Sequence, residues 1–254
     1  MIQTHNLTVG YHNPILSDLS LNFPKGQLHA LLGPNGCGKT TLFKTLMGLL
    51  PRQGGQITLN GQPLETLSIT ERAREIAYVP QIHNHVFPYS VIEMVLMGRT
   101  AHIGMFSAPS QEDREHAIEA LSTFGITHLA QQEFTKLSGG QRQLVTMARA
   151  IAQGASILVL DEPTASLDFG NEIRVLEEVG KMARRGWTVI LSTHNPSHAL
   201  QLADQVIVLN EGKVFAQGQS DQIITESNLS ELYKTPIGIG QVHTTPICAP
   251  LRTT

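Results

Sequence analysis

The sequence predicts an α/β fold with a mainly parallel core sheet, an antiparallel β subdomain and an inserted helical subdomain. Three observations lead to this prediction. Short apolar runs alternate with helical patterns, as in proteins with a parallel sheet. Two other stretches alternate polar and apolar residues between turn residues, which is typical of an antiparallel sheet partly open to solvent. A long central region has helical periodicity.

The predicted core strands are apolar, rich in leucine and β-branched residues, and bounded by turn residues. They are QLHALLG (27–33), ILVLDEP (157–163), TVILSTH (188–194) and QVIVLN (205–210). Because these runs are apolar at successive positions, we expect both faces of each strand to be buried. The antiparallel subdomain is predicted from IQTHNLTVGY at residues 2–11 and GGQITLNGQPL at residues 54–64.

The helical subdomain is predicted at about residues 90–154, within a domain of residues 1–234. Apolar residues recur there at i, i+3, i+4 and i+7 in SVIEMVLMG, QEDREHAIEALSTFG and GGQRQLVTMARAIAQ. Residues 235–254 show little periodicity. We therefore predict a C-terminal tail that is weakly ordered or ordered by a partner.

Length, cysteine count, charge and hydrophobicity limit the classes of protein to which this sequence can belong. The 254 residues suffice for a substantial core without disulfides, and two cysteines favour a reducing compartment. Eighteen basic and twenty-one acidic residues, with no basic block, argue against nucleic acid as a partner. No run reaches the roughly 18 apolar residues of a spanning helix. A function at a membrane would therefore require docking onto an embedded protein.

A glycine-rich loop, GPNGCGKTT, lies between a predicted strand and a predicted helix. In that context glycines let backbone N–H groups wrap around phosphates, and the helix adds the positive end of its dipole. Lys39 is expected to reach the β- and γ-phosphates, and Thr40 to ligate Mg²⁺. The predicted ATP-binding residues of the loop are Gly33, Pro34, Asn35, Gly36, Cys37, Gly38, Lys39, Thr40 and Thr41.

Polar side chains lie at the C-terminal ends of two predicted core strands. Asp161 is expected to hold Mg²⁺, and the adjacent Glu162 to orient and polarise an attacking water. His194 ends another strand shortly before Pro196, and its predicted role is to polarise the γ-phosphate or steady Glu162. For this residue alone, a purely structural histidine is the alternative.

A second anion-binding pattern, LSGGQ, is surplus to a single nucleotide site. Ser138 and the N–H groups of Gly139 and Gly140 open a predicted helix and suit a γ-phosphate, with Gln141 completing the segment. We therefore expect a two-fold homodimer. Each ATP would lie between the phosphate loop of one chain and the LSGGQ segment of the other.

The motifs GPNGCGKTT, LSGGQ, ILVLDEP, ASLD and LSTHN occur in this order over about residues 1–230. Together they strongly resemble the ATP-binding-cassette (ABC) ATPases. The resemblance implies the P-loop NTPase fold of that family and hydrolysis of ATP with Mg²⁺.

The same resemblance implies roles for individual residues. Tyr11 would stack on adenine, and Gln81 would meet Mg²⁺ and the attacking water. Glu162 would be the catalytic base and His194 the switch histidine. Asp168 would contact the dimer partner.

The helical region resembles one branch of the family. SVIEMVLMGRTAHIGMFSAPSQED (90–113) is similar to cassettes that power importers of iron-siderophore, haem, cobalamin and related metal-chelates. A molybdate- or tungstate-type importer is the alternative. The implied partners are transmembrane permease subunits and, indirectly, a periplasmic or extracellular substrate-binding protein. The implied location is the cytoplasmic face of the membrane, with the chain bound peripherally.

Two other classes fit less well. Soluble ABC proteins of DNA repair interrupt the cassette with coiled coils, and those of translation carry two cassettes; this sequence has neither feature. A P-loop small-molecule kinase has no use for LSGGQ. The sequence therefore predicts an ATPase subunit that drives import.

Overall fold

The computed structural model describes residues 1–81, 88–104, 107–165 and 167–251. The strands are β1 (Ile2–Gly10), β2 (Pro14–Leu19), β3 (Asn22–Phe23), β4 (Leu28–Leu32), β5 (Gly54–Leu59), β6 (Gln62–Pro63), β7 (Ile76–Val79), β8 (Ile157–Asp161), β9 (Thr188–Thr193), β10 (Gln205–Asn210), β11 (Lys213–Gln219), β12 (Ile237–Val242) and β13 (Thr245–Pro250). The α-helices are α1 (Lys39–Leu46), α2 (Ile69–Glu75), α3 (Val91–Leu96), α4 (Gln111–Thr123), α5 (Gly139–Ala152), α6 (Phe169–Arg184), α7 (Pro196–Leu202), α8 (Ser220–Ile223) and α9 (Glu226–Tyr233). Contacts group the chain into two compact units, Met1–Thr66 with Ala183–Thr254, and Leu67–Met182.

An antiparallel sheet at the start of the first unit confirms one sequence prediction. β1 pairs with β2, β3 and β5, and β5 pairs with β6, all antiparallel. Asn60 and Gly61, between β5 and β6, both have positive φ, as a two-residue type I′ turn requires. Leu7 and Val9 of β1 are fully buried. The alternating pattern in the sequence therefore corresponds to a sheet with one face on the core.

The second sheet of this unit has the strand order β11-β10-β4-β9. β4 pairs in parallel with both β10 and β9, whereas β11 is antiparallel to β10. Every residue of β4 and β9 is buried, which confirms that these apolar runs are strands covered on both faces. Leu32 is paired with Thr193, so the segments that follow β4 and β9 begin at the same edge of the sheet.

The C-terminal segment forms a β-hairpin. β12 and β13 pair from Ile237 with Pro250 to Val242 with Thr245, and Ile237 is buried against α9 and α7. The prediction of a weakly ordered tail is therefore wrong for residues 237–250. The prolines concealed the strand pattern, although proline is tolerated in strands that lie at an edge.

The second unit contains the parallel pair β7 and β8 and the predicted helices. The helices α3, α4 and α5 each begin with the same capping box, in which a serine N-cap and the third helical residue exchange hydrogen bonds. The three N-cap residues are Ser90, Ser110 and Ser138. These caps explain why helices begin at the positions expected from the periodicity.

Hydrogen bonds hold the C-terminal end of α5 in place. Arg99 donates from Nε to the Asp113 carboxylate at 2.9 Å and from Nη1 to the Ala152 carbonyl at 3.0 Å. The side-chain amide of Gln153 donates to the Ile76 carbonyl at 2.8 Å, where β7 begins. In the described stretches, no helix has the length and apolar character needed to cross a membrane.

A histidine lies inside the first unit. His29, on β4, is 1% exposed, and its ring meets Phe23 edge-on at 5.2 Å between ring centroids. Burial lowers the pKa of His29 to about 4, although the Pro24 carbonyl and the Asp204 carboxylate act in the opposite direction. The folded protein therefore keeps this side chain neutral at neutral pH.

We expect acid to destabilise the fold through His29. The unfolded chain binds the proton near pH 6.5, whereas the folded chain binds it near pH 4, so the contribution of His29 is complete above pH 6.5 and decreases as the pH falls toward 4. Between roughly pH 7.5 and pH 5 the loss is about 2 kcal/mol. Urea unfolding at both pH values should show a smaller loss for His29→Leu than for the unaltered chain. Equal losses would contradict the assignment.

Candidate active site

The glycine-rich loop of the first unit joins β4 to α1. Gly36 and Gly38 have φ values of 81° and 103°, in the left-handed region that favours glycine. A Cβ on Gly33 would lie 2.5 Å from the Leu209 carbonyl oxygen and 2.7 Å from the Cys37 sulfur. The backbone path therefore requires the glycines, and the loop fits the phosphate cradle expected from the sequence.

Lys39 is held over this loop. Its side chain is almost fully buried, and Nζ donates hydrogen bonds to the carbonyl oxygens of Gly33 at 2.8 Å and Pro34 at 3.1 Å. Thr40, the next residue, is half-buried, whereas Asn35 at the tip of the loop is exposed. The ammonium group and the N-terminus of α1 together give the loop a fixed positive potential.

Tyr11 lies in the turn after β1 and is 57% exposed. Its carbonyl oxygen accepts a hydrogen bond of 2.9 Å from the side-chain amide of Gln53. This bond fixes the backbone of the turn. The exposed ring has the open face that stacking on a base requires.

His194 follows β9, at the edge of the sheet where the glycine-rich loop follows β4. The structure therefore brings these two predicted elements to one edge of the first unit. The His194 side chain is exposed, and its main-chain carbonyl accepts a hydrogen bond of 3.0 Å from the hydroxyl of Tyr233. Asn195 caps α7 by accepting from the Ser197 N–H at 3.0 Å. Sequence patterns offer no signal for Tyr233, because its contact is between distant parts of the chain.

Asp161 and Glu162 lie where β8 ends, in the second unit. Asp161 is 1% exposed, and its carboxylate accepts a hydrogen bond of 3.4 Å from the Tyr78 hydroxyl. Glu162 has a φ of 46°, a left-handed conformation that is uncommon for a residue with a side chain. Such strain is of order 1–3 kcal/mol and clusters at functional sites. Nothing in the sequence pattern predicts this conformation.

Gln81 lies on the same edge of the second unit. β7 and β8 are parallel, with Val79 paired to Leu160, so the segments holding Gln81 and Glu162 both continue past the carboxyl ends of neighbouring strands. Gln81 is exposed. Throughout the described residues, no group of three or more His, Cys, Asp or Glu side chains is arranged to hold a metal ion.

The LSGGQ segment forms the start of α5. The Ser138 hydroxyl accepts from the Gln141 N–H at 3.2 Å, and the Gln141 side-chain oxygen accepts from the Ser138 N–H at 3.0 Å. The side chain of Gln141 therefore serves in the cap. A Cβ on Gly139 would meet no described atom within 4 Å. The first turn of this helix thus presents the open N-terminus that an anion requires.

Asp168 precedes α6 in the same unit. Its carboxylate accepts hydrogen bonds from the Asn171 main-chain N–H at 2.9 Å and side-chain amide at 2.7 Å. These bonds lower the pKa of Asp168, so it is a carboxylate at neutral pH. The same Asn171 amide lies 3.5 Å from where a Cβ on Gly140 would be. The structure therefore makes the Asp168 turn and the LSGGQ segment neighbours.

Several known proteins are similar to this chain. The model of the ABC transporter family matches residues 16–165. An uncharacterised ABC transporter ATP-binding protein of Haemophilus influenzae is 45% identical, over 92% of this chain and 90% of its own length. The molybdate import ATP-binding protein MolC of the same organism is 38% identical, over 89% and 84%. The ferric enterobactin transport ATP-binding protein FepC of Escherichia coli is 35% identical, over 98% and 94%.

Solved structures show the same relationship. A structure described as an inward-facing conformation of a proposed metal-chelate type ABC transporter has a TM-score of 0.87 and 35% identity, covering 99% of this chain and 97% of its own. The dimeric structure of a bacterial ABC transporter cassette has a TM-score of 0.78 and 27% identity, covering 87% and 99%. The chain therefore belongs to the ABC transporter family, and it is an ABC ATPase.

Proposed function

We propose that this chain is the ATPase subunit of a membrane importer whose cargo is a metal-chelate such as an iron-siderophore, haem or cobalamin. The observation that carries the proposal is the match of 99% of the chain to a metal-chelate type transporter. The similarity to FepC, along 98% of the chain, supports the same cargo class. MolC is slightly more similar in identity, so molybdate is the second candidate cargo.

A groove in the second unit supports a role beside a permease. This groove, of about 1060 Å³, has a mixed polar and apolar lining that includes the side chains of Ile92, Leu96 and Met97, the last of them 40% exposed. Arg74 and Arg114 add positive charge to the lining, and Glu93 adds negative charge. A surface that combines apolar and charged side chains suits an amphipathic helix. We propose that a cytoplasmic helix of the permease binds here, which would hold the chain peripherally on the membrane.

The nucleotide roles expected from the motifs carry over as part of this proposal. Lys39 and the loop N–H groups would bind the phosphates of ATP. Thr40, Gln81 and Asp161 each offer the oxygen donor that Mg²⁺ prefers, and the ion would neutralise phosphate charge when bound. Glu162 would accept a proton from the attacking water, and its constrained backbone supports a fixed orientation.

The open start of α5 supports a homodimer. Ser138, Gly139 and Gly140 would bind the γ-phosphate of ATP held by a second copy of the chain, and Asp168 would contact that copy. ATP would thereby close two cassettes together, and this motion would act on the permease subunits. A substrate-binding protein on the other side of the membrane would deliver the cargo.

The loop geometry gives a prediction for ATP binding. Gly33→Ala should weaken binding of ATP by the isolated chain at least about tenfold, because the added Cβ forces a strained shift of the loop backbone. Gly139→Ala is the matched control: it has open space, and its segment serves a nucleotide on the other copy. Titration with a fluorescent ATP analogue measures both. Equal affinities for the two variants would contradict the proposed cradle.

The proposed base gives a second prediction. Glu162→Gln keeps the side-chain shape but removes the proton acceptor, so hydrolysis should slow by about 10²–10⁴-fold while ATP binding is retained. Size-exclusion chromatography should then show an ATP-held dimer. Glu112→Gln, on the exposed face of α4, should hydrolyse ATP normally. Near-normal turnover of Glu162→Gln would exclude this residue as the base.

Cargo is tested with the assembled transporter. The chain would be purified with the membrane proteins that accompany it and reconstituted in liposomes, and its ATPase measured with binding proteins loaded with ferric siderophore, cobalamin or molybdate. Stimulation by a loaded metal-chelate protein is the expected result. Stimulation by the molybdate-loaded protein alone would identify the second candidate, and the absence of any membrane companion would contradict the importer.

A further inference from the structure

The end of α9 contacts the segment that carries His194. The hydroxyl of Tyr233, the last residue of α9, donates to the main-chain carbonyl oxygen of His194 at 3.0 Å. The two residues are 39 positions apart, so this is a tertiary contact. This hydrogen bond holds the main chain at His194, directly after the chain leaves the sheet at the end of β9.

The Tyr233 hydroxyl stays protonated and can therefore donate this hydrogen bond at any physiological pH. Burial raises the pKa of Tyr233 to about 12, and the nearby Cys37 and Cys248 act in the same direction. The phenol therefore stays protonated, and remains a donor, across the physiological pH range.

The C-terminal hairpin fastens the helix that follows His194. The Cys248 main-chain N–H in β13 donates to the Ser197 hydroxyl oxygen at 2.9 Å. The Gln201 side-chain amide donates to the Pro246 carbonyl oxygen at 2.8 Å. Ser197 and Gln201 are four residues apart on α7, so one face of this helix is attached to the hairpin at two points.

α9 and the hairpin are themselves joined. The Ile237 N–H donates to the Ser230 hydroxyl oxygen at 2.9 Å, and the Ile239 N–H donates to the Glu226 carboxylate at 2.8 Å. A shared apolar cluster buries side chains of α7, α9 and β12 together. Because these contacts connect α7, α9 and β12, the three elements pack together and hold the Tyr233 hydroxyl in place.

We propose that Tyr233 is a positioning residue for ATP hydrolysis, which fixes the main chain of His194 and thereby orients its imidazole toward the γ-phosphate. The inference rests on the proposed role of His194. It assigns the C-terminal segment a function in the reaction, although that segment contains none of the nucleotide motifs.

Steady-state ATPase of the full chain tests the assignment with Tyr233→Phe, which removes one hydroxyl. The kcat should fall about 3- to 10-fold, the effect of one lost hydrogen bond, while the KM for ATP stays within about twofold. Thr66→Val is the control, since it removes a hydroxyl that donates to the Pro63 carbonyl oxygen at 2.7 Å, in the same unit but away from α7, α9 and the hairpin. An unchanged kcat for Tyr233→Phe, or an equal loss in Thr66→Val, would overturn the proposal.

Hydrogen exchange supplies a readout that does not depend on turnover. In Tyr233→Phe, main-chain amides of residues 194, 195 and 197–199 should exchange faster, and those of α1 should be unchanged. His194→Ala separates the two ideas because it keeps the main-chain carbonyl. Normal turnover in His194→Ala would refute the catalytic role of the imidazole, whereas unaltered exchange in Tyr233→Phe would refute the positioning role of the tyrosine.

Discussion

The parallel pairing of β4 with β9 is the constraint on which the site of the first unit depends. Both strands are buried along their whole length. Their parallel pairing continues to Leu32 and Thr193, and the segments that carry the candidate site residues begin immediately beyond. The glycine-rich loop and His194 therefore leave the sheet at one edge because the register of the pair requires it. The pairing of β7 with β8 does the same for Gln81 and Glu162 in the second unit.

Strand register brings the site segments to one edge of each sheet, and unusual backbone conformations then set the local path of these segments. Gly36 and Gly38 have left-handed φ values at little steric cost, whereas Glu162 has one despite its side chain. A strained residue persists only where its surroundings determine it, and Glu162 lies between the buried end of β8 and a turn closed by the Ala165 N–H. In the proposed mechanism, this fixed conformation would spare the base from reorganising at the moment of reaction.

An element could be predicted from the sequence when it is formed by residues close together in the chain, and it was missed when it depends on contacts between distant residues. The core strands were predicted because continuous apolar runs are local signals, and the starts of α3, α4 and α5 agree with capping boxes visible in the sequence. The hairpin at residues 237–250 was missed because its strands are defined by pairing with each other and by packing on α7 and α9. The contact between Tyr233 and His194 has no local signal at all. The residue roles assigned from the motifs stay predictions, and the sequence does not specify the cargo, because in the proposed transporter the cargo would not contact this chain.

The helix α5 connects the two proposed functions of the second unit. Its N-cap, Ser138, would sense ATP on the other copy, and its 14 residues, Gly139–Ala152, span about 21 Å at 1.5 Å per residue. At its far end, the carbonyl of Gln153 accepts a hydrogen bond of 2.8 Å from His102, which lines the groove proposed for the permease. Arg99 fastens the same end. Because the helix is capped at its start and bonded at its end, a displacement of the LSGGQ segment on dimer closure would move the groove with it as one body.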